Sequence, residues 1–176
     1  MIRLFKKIVV VASVGLIGCS VGEDDQGWGS DSLYGTETDA ACPVGVTCVD
    51  SLPFTDENTT AGSGAVFDGY SCAPETSEPG PEQVYRVDLA TEGLLVASLE
   101  GLGAGVDVDV HILDTLDQGT CIDRGNWDAA ALLKPGRYWI VVDSWGDSTG
   151  TSHEGSYQLN IALTTAADHL SLGLYP

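Results

Sequence analysis

The sequence predicts an all-β protein built as a single antiparallel β-sandwich. Short runs with apolar residues at every second position recur from about residue 64 onward, as in half-buried strands. Glycine and polar clusters separate these runs at short intervals, and apolar residues at helical spacing are nearly absent. The chain has 176 residues, which is enough for one such domain.

Five strands are predicted in chain order. They span residues 84–89, 94–99, 106–112, 138–142 and 157–163. In the first strand, Tyr85, Val87 and Leu89 share one face, which we expect to point into the core. Residues 128–133 fit one helical turn and an extended strand equally well, and residues 165–176 receive no assignment.

The third predicted strand has the strictest alternation. Its apolar face carries Val106, Val108, Val110 and Ile112. Its other face carries Asp107, Asp109 and His111. We therefore expect a strand with one face in the core and one polar face toward water.

The first residues have the layout of a secretory leader. Arg3, Lys6 and Lys7 precede a run of ten predominantly apolar residues, 8–17. A spanning helix needs about 20 apolar residues, so the run argues against a transmembrane segment. Its end, Leu16-Ile17-Gly18-Cys19, resembles the lipobox of bacterial lipoproteins.

This resemblance implies a membrane anchor. In lipoproteins the leader is cut before the cysteine, which receives a thioether-linked diacylglycerol and an N-acyl chain, so Cys19 is the expected lipidation site and the lipid bilayer the expected partner. Ser20, which replaces the aspartate typical of inner-membrane retention, implies the outer membrane of a Gram-negative cell. An ordinary signal peptide with Cys19 left as a free thiol is the alternative. We expect a signal peptide over 1–18 and a lipidated tether over 19–41.

Acidic residues dominate the chain after the leader. Four basic residues remain there against 26 acidic ones, a formal charge of −22. This balance argues against nucleic-acid binding through phosphate contacts. It favours divalent cations, although a solvated surface is the alternative for most of these residues. Residues 20–41 have few large apolar side chains and read as a flexible acidic tether.

The chain has five cysteines, an odd number. If Cys19 carries lipid, four remain, and in an oxidising compartment they suggest two disulfides. Of the three pairings that four cysteines allow, we favour Cys42–Cys48 and Cys72–Cys121. Zinc binding is the alternative, but there is no Cys-x-x-Cys pair and the three histidines are scattered.

Several segments resemble, in order and spacing, the bacterial pre-peptidase C-terminal domain. They are 80–87 (GPEQVYRV), 94–96 (LLV), 107–112 (DVDVHI), 133–143 (LKPGRYWIVVD) and 155–159 (GSYQL). The resemblance covers residues 60–164, implies a jelly-roll-like sandwich, and leaves 42–59 as a disulfide-closed lead-in. That domain commonly follows an exported catalytic domain, and none precedes it here. The resemblance therefore implies a binding or accessory module without enzymatic activity.

Calcium is the cofactor that the carboxylates suggest. Ca²⁺ takes six to eight oxygen ligands, mostly from carboxylates and carbonyls. Asp107 and Asp109 project from one face of a strand, Asp143 ends another, and the resemblance adds Glu82 near the start of the sandwich. The alternative is that these side chains face water or brace a turn.

Tryptophans suggest a second kind of site. Trp139 lies on the face of its strand opposite Tyr138 and Ile140, and Trp145 follows the same strand. If that face is open, Trp139 and Trp145 form a platform for a sugar ring or a peptide. Core packing is the alternative that we favour for them.

The sequence as a whole predicts a non-catalytic outer-membrane lipoprotein. Its sandwich would bind an envelope polymer, a carbohydrate or a protein ligand. A purely structural envelope component is the alternative. A small hydrolase is less well supported, since the sequence has neither a Gly-x-Ser-x-Gly nor a His-Glu-x-x-His motif.

Overall fold

A computed structural model describes residues 41–171 and contains nine β-strands over that range. They are β1 Val46–Val49, β2 Phe54–Thr59, β3 Glu82–Leu89, β4 Gly93–Glu100, β5 Val108–Leu113, β6 Cys121–Gly125, β7 Asp128–Leu133, β8 Gly136–Ser144 and β9 Ser156–Thr164. A short 3-10 turn, Gln118–Thr120, precedes β6, and one helix, α1 Ala166–Ser171, follows β9. The predicted all-β fold is confirmed, and residues 128–133 are a strand.

The strands form two sheets that pack as a sandwich. The five-stranded sheet has the order β1-β3-β8-β5-β6, and the four-stranded sheet has the order β2-β9-β4-β7. Neighbouring strands run antiparallel, except that β1 pairs with β3 in parallel. The predicted antiparallel sandwich is therefore correct apart from this one pair.

The inner faces of both sheets form the main core. Tyr85, Val87 and Leu89 of β3 lie in it, as their alternation predicts. The apolar face of β5 joins them, because every second side chain of a strand points to the same side. Burial of these branched and aromatic side chains supplies the main stabilisation of the fold.

Residues 42–59 are part of the sandwich, contrary to the expected lead-in segment. Strand β1 pairs with β3, and β2 pairs with six residues of β9. The boundary predicted at residue 60 therefore starts the sandwich too late. Neither VTCV nor FTDENT sustains an alternation of apolar and polar residues, so the periodicity that predicts the other strands is missing there.

Residues 60–81, named here the cover segment, fold over the outer face of the five-stranded sheet. Phe67 and Tyr70 of this segment pack against Trp139 and other side chains of β3, β5 and β8 in a second apolar cluster. The segment also approaches β8 at Gly80, whose amide donates to the Ser144 carbonyl at 3.1 Å. A Cβ at residue 80 would lie 2.3 Å from that oxygen, so only glycine allows this approach.

The cover segment changes the environment of β5. All six residues of this strand are buried, including Asp109 and His111. The expectation that its polar face meets water is therefore wrong for Asp109 and His111, whereas Asp107 is exposed. The reason is tertiary: an irregular segment from elsewhere in the chain covers that face.

Among residues 41–171, the helices are too short to cross a membrane.

Candidate functional site

Three carboxylates form a row across the covered face of the five-stranded sheet. In the register of β3, β8 and β5, Asp143 lies opposite Glu82 on one side and opposite Asp109 on the other. Paired residues of adjacent strands project to the same face. Glu82, Asp143 and Asp109 are 1%, 0% and 3% exposed, so the row is buried.

A fourth carboxylate and one guanidinium complete the cluster. Glu78 reaches the row from the cover segment and is 1% exposed. Arg124 of β6 donates through Nη2 to Glu78 Oε1 at 2.9 Å and to Asp109 Oδ2. Arg124 therefore ties the cover segment to the sheet through two buried carboxylates.

Tyr70 and His111 close the other side of the cluster. The Tyr70 hydroxyl donates to Asp143 Oδ2 at 2.6 Å, and its ring stacks on the His111 ring with centroids 3.6 Å apart. His111 Nε2 lies 2.7 Å from Glu78 Oε2. Burial lowers the pKa of His111, so the neutral ring donates its Nε2 proton to Glu78.

Burial and the charges of neighbouring groups shift the pKa values of the carboxyl groups. Burial, with the neighbouring charge of Glu78, raises the pKa of Asp109 to about 6 despite Arg124. Burial raises the pKa of Asp143 to about 9, against the hydrogen bond from Tyr70. Burial also acts on Glu78, but the His111 hydrogen bond and the nearby cationic charge outweigh it and lower the pKa of that carboxyl.

If all four carboxyl groups were ionised, the cluster would hold more negative than positive charge. Four carboxylates face one guanidinium and one neutral imidazole. Asp109 Oδ1 is buried without a hydrogen-bond partner. Since buried charge is costly unless it is compensated, the cluster must take up protons or a cation. Carboxylate oxygens are also the ligands that a hard cation takes.

The predicted calcium ligands separate into two groups. Glu82, Asp109 and Asp143 come together in the row. Asp107 lies outside it: this residue is exposed and precedes the first residue of β5.

The predicted tryptophan platform is contradicted for Trp139. This side chain is 2% exposed and packs under the cover segment in the second apolar cluster. Trp145 is half-buried, with its ring centroid 5.0 Å from that of His153. Core packing, the favoured alternative, is therefore the correct interpretation of Trp139, because the face it occupies is covered.

The four cysteines of the described region pair as favoured. Cys42 bonds Cys48, and Cys72 bonds Cys121. The second disulfide links the cover segment to the first residue of β6 and so helps to hold this segment over the carboxylate row. Cys19 and the tether up to residue 40 lie outside the described residues.

Sequence reasoning missed four members of the cluster: Tyr70, Glu78, His111 and Arg124. His111 was placed on the polar face of its strand but not among the site residues. Tyr70 and Glu78 lie in an irregular segment without periodicity. Arg124 carried a usable signal, since only four basic residues follow the leader and an ionised buried carboxylate is usually paired with a cation.

An open groove of about 560 Å³ lies beside β2 and β9, away from the row. Its polar lining includes Glu57, Asn58, Ser156 and Gln158, and its lining contains neither histidine nor cysteine.

Comparisons with known proteins give fold-level likenesses. No family model and no curated protein matches the chain. Among solved structures, the pre-peptidase C-terminal domain of a collagenase from Bacillus anthracis is similar, with a TM-score of 0.45, 16% identity, and coverage of 66% of this chain and 93% of that one. PliG from Aeromonas hydrophila, a periplasmic inhibitor of g-type lysozyme, is similar with a TM-score of 0.44, 14% identity, and coverage of 68% and 96%. At these scores neither likeness bears on function.

Proposed function

We propose that the chain is a non-catalytic β-sandwich binding module, held at the bacterial outer membrane by a lipid on Cys19. The basic and apolar leader that ends in Leu16-Ile17-Gly18-Cys19 supports the anchor. The observation that carries the binding role is an exposed apolar strip on the outer face of the four-stranded sheet.

The strip is centred on two leucines. Leu94 of β4 and Leu132 of β7 are register partners, and they are 41% and 72% exposed. The next outward pair along these strands is Val96 and Ala130, and Ala162 of β9 lies on the other side of Val96. Contiguous apolar side chains on an exposed sheet face are typical of an interaction surface.

The chemistry around the strip favours a protein partner with apolar and basic residues. Exposed Glu92, Glu100 and Asp128 lie on the same two strands or beside them, and the chain carries a formal charge of −19. An apolar centre with a charged rim is the usual anatomy of a protein interface. The acidic rim would attract a basic partner and repel acidic polymers.

Site-specific crosslinking in the native cell envelope tests this proposal. A photoreactive phenylalanine at position 132 should crosslink one protein partner. The same probe at exposed Thr149, in the loop after β8, is the matched control and should not crosslink it. Leu94→Lys should abolish the adduct, and high salt should weaken it because the rim is acidic.

Three outcomes contradict the proposal. Equal crosslinking from positions 132 and 149 would mean that the strip is not the docking surface. An adduct of twice the chain mass would identify a second copy as the occupant. A polydisperse carbohydrate adduct would identify an envelope polymer.

We also propose that Ca²⁺ binds the buried row and holds the cover segment on the sheet. The excess of carboxylates and the unpartnered Asp109 Oδ1 support this proposal. Glu82, Asp109 and Asp143, the three members of the row, would hold the ion, and Asp109 Oδ1 is the oxygen among them that lacks a hydrogen-bond partner. A bound cation would neutralise charge that protons otherwise neutralise.

Thermal unfolding in EDTA and in millimolar CaCl₂ tests calcium binding. An ion that binds only the folded state raises the midpoint by mass action, by about 2.7 kcal/mol at 100 times Kd. The rise should be absent in Asp109→Asn and retained in Asp107→Asn, the matched control outside the row. No rise with Ca²⁺, or an equal rise in both variants, would refute the site without affecting the crosslinking result.

A further inference from the structure

Three potential metal ligands meet beneath the cover segment. A ring nitrogen of His111 and the sulfur atoms of Cys72 and Cys121 lie within 4.8 Å of one another. His111 is 0% exposed, and its Nδ1 has no hydrogen-bond partner. A buried polar atom without a partner is costly, so an unpartnered imidazole nitrogen on a ring beside two sulfurs requires an explanation.

The rest of the His111 ring is fixed as a metal-binding imidazole usually is. Its Nε2 donates to the Glu78 carboxylate at 2.7 Å, and Tyr70 stacks on its face at 3.6 Å. A neutral imidazole that donates one ring proton to a carboxylate presents the lone pair of its other nitrogen. This carboxylate–histidine pair is the common second-shell support of a histidine ligand.

We propose that reduction of the Cys72–Cys121 disulfide by a dithiol turns this cluster into a Zn²⁺ site. The dithiol gives two electrons and two protons to the disulfide, becomes a disulfide itself, and leaves two thiols. Zn²⁺ then binds both sulfurs as thiolates and His111 Nδ1, and two protons are released. Two cysteines and one histidine, with water at the fourth position, is an established zinc donor set.

The geometry requires a small movement. In a tetrahedral site with Zn–S distances of about 2.3 Å, the two sulfurs lie about 3.8 Å apart. They therefore move apart from bonding distance while staying inside the range that the three donor atoms already span. Both cysteines are half-buried, so a reductant and an ion have access from the surface.

The site was hidden in the sequence because its ligands come from three segments. Cys72 lies in the cover segment, His111 in β5 and Cys121 at the start of β6. The proposal does not depend on the binding role or on calcium. It predicts a resting disulfide that takes up a thiophilic ion only after reduction.

Cobalt binding to the reduced protein is the experiment. The full chain carrying Cys19→Ser, Cys42→Ser and Cys48→Ser retains only the two thiols of interest. After anaerobic reduction, Co²⁺ should produce sulfur-to-cobalt charge-transfer and tetrahedral d–d absorption that saturates at one equivalent and is displaced by Zn²⁺. The oxidised protein should show neither band.

Three variants locate the site. His111→Gln should weaken Co²⁺ binding by about 100-fold or more, and Glu78→Gln by about 10- to 100-fold. His153→Gln, at the half-buried histidine beside Trp145, is the matched control and should leave the affinity unchanged. Equal affinity of the His111→Gln and unsubstituted proteins would overturn the proposal.

A redox titration covers the case in which reduction unfolds the chain. In a dithiol buffer, Zn²⁺ at 100 times its Kd should raise the ratio of reduced to oxidised protein about 100-fold. Circular dichroism should show that Co²⁺ restores the β-sheet spectrum of the reduced protein. A ratio that does not change with Zn²⁺, or a reduced chain that stays unfolded with metal, would equally overturn the proposal.

Discussion

Replacing Arg124 by glutamine should destabilise the fold more than its position near the surface suggests. The guanidinium bonds Glu78 at 2.9 Å and Asp109 by a shorter contact, and both carboxylates are almost fully buried. Glutamine keeps much of the side-chain length and removes the charge. Two buried carboxylates would then lose their only cationic partner in the described cluster.

The size of the effect follows from these contacts. Removing one partner of a buried ion pair costs about 3–5 kcal/mol, because the remaining charge is left uncompensated. Two charge-assisted hydrogen bonds of about 1.5–3 kcal/mol each give a similar value. Because Arg124 lowers the pKa of Glu78 and opposes the rise of that of Asp109, its loss lets both carboxyls take up protons at higher pH. The cost should therefore shrink as pH falls from 8 to 5.

Urea unfolding in EDTA with intact disulfides measures this cost. Arg137→Gln is the matched control, because Arg137 pairs with half-exposed Asp88 at 2.9 Å and surface pairs are worth about 0–1 kcal/mol. A loss below 1 kcal/mol for Arg124→Gln at pH 8, or a loss that does not change with pH, would refute the reasoning.

Three further predictions concern the same covered face. Burial raises the pKa of Asp143 to about 9 from an ordinary 3.8, so the folded state keeps a proton that the unfolded state releases. The free energy of unfolding, measured by urea titration in EDTA, should therefore fall as pH rises from about 4 to 9. The Asp143→Asn variant should lack that part of the pH dependence. Trp139→Ala should cost about 3–5 kcal/mol in urea unfolding, whereas Trp127→Ala, at a side chain 60% exposed, should change it by no more than about 0.5 kcal/mol. Replacing Cys72 and Cys121 by serine opens a loop with a sequence separation of 49, which should cost about 4 kcal/mol in thermal unfolding; a loss below 1 kcal/mol would contradict the stapling role.

The core-facing residues of the regular strands could be predicted from the sequence, because the alternation of apolar and polar residues is a local signal. Tyr85, Val87 and Leu89 face the core as predicted, and so do Val108, Val110 and Ile112. Strands β1 and β2 were missed because hydrogen bonds to β3 and β9, not their own patterns, hold them in place. A strand fixed by its neighbours needs no apolar–polar alternation of its own.

Only part of the candidate site could be predicted from the sequence, for the same reason. Asp109 and Asp143 were found because they lie on or at the end of regular strands, and Glu82 was found through the family resemblance. The local sequence predicts that the polar side of β5 faces solvent. No residue near Asp109 or His111 in the sequence indicates that residues 60–81 cover them. Glu78 and Arg124 enter the site through tertiary packing alone.

Intact mass spectrometry of the chain purified from native membranes tests the anchored module most directly. The proposal predicts cleavage between Gly18 and Cys19, with a diacylglyceryl thioether and an N-acyl chain on Cys19, and recovery with the outer-membrane fraction. A mature chain with a free Cys19 thiol, or an uncleaved leader, would contradict the anchor and with it the display of the Leu94–Leu132 strip from a membrane.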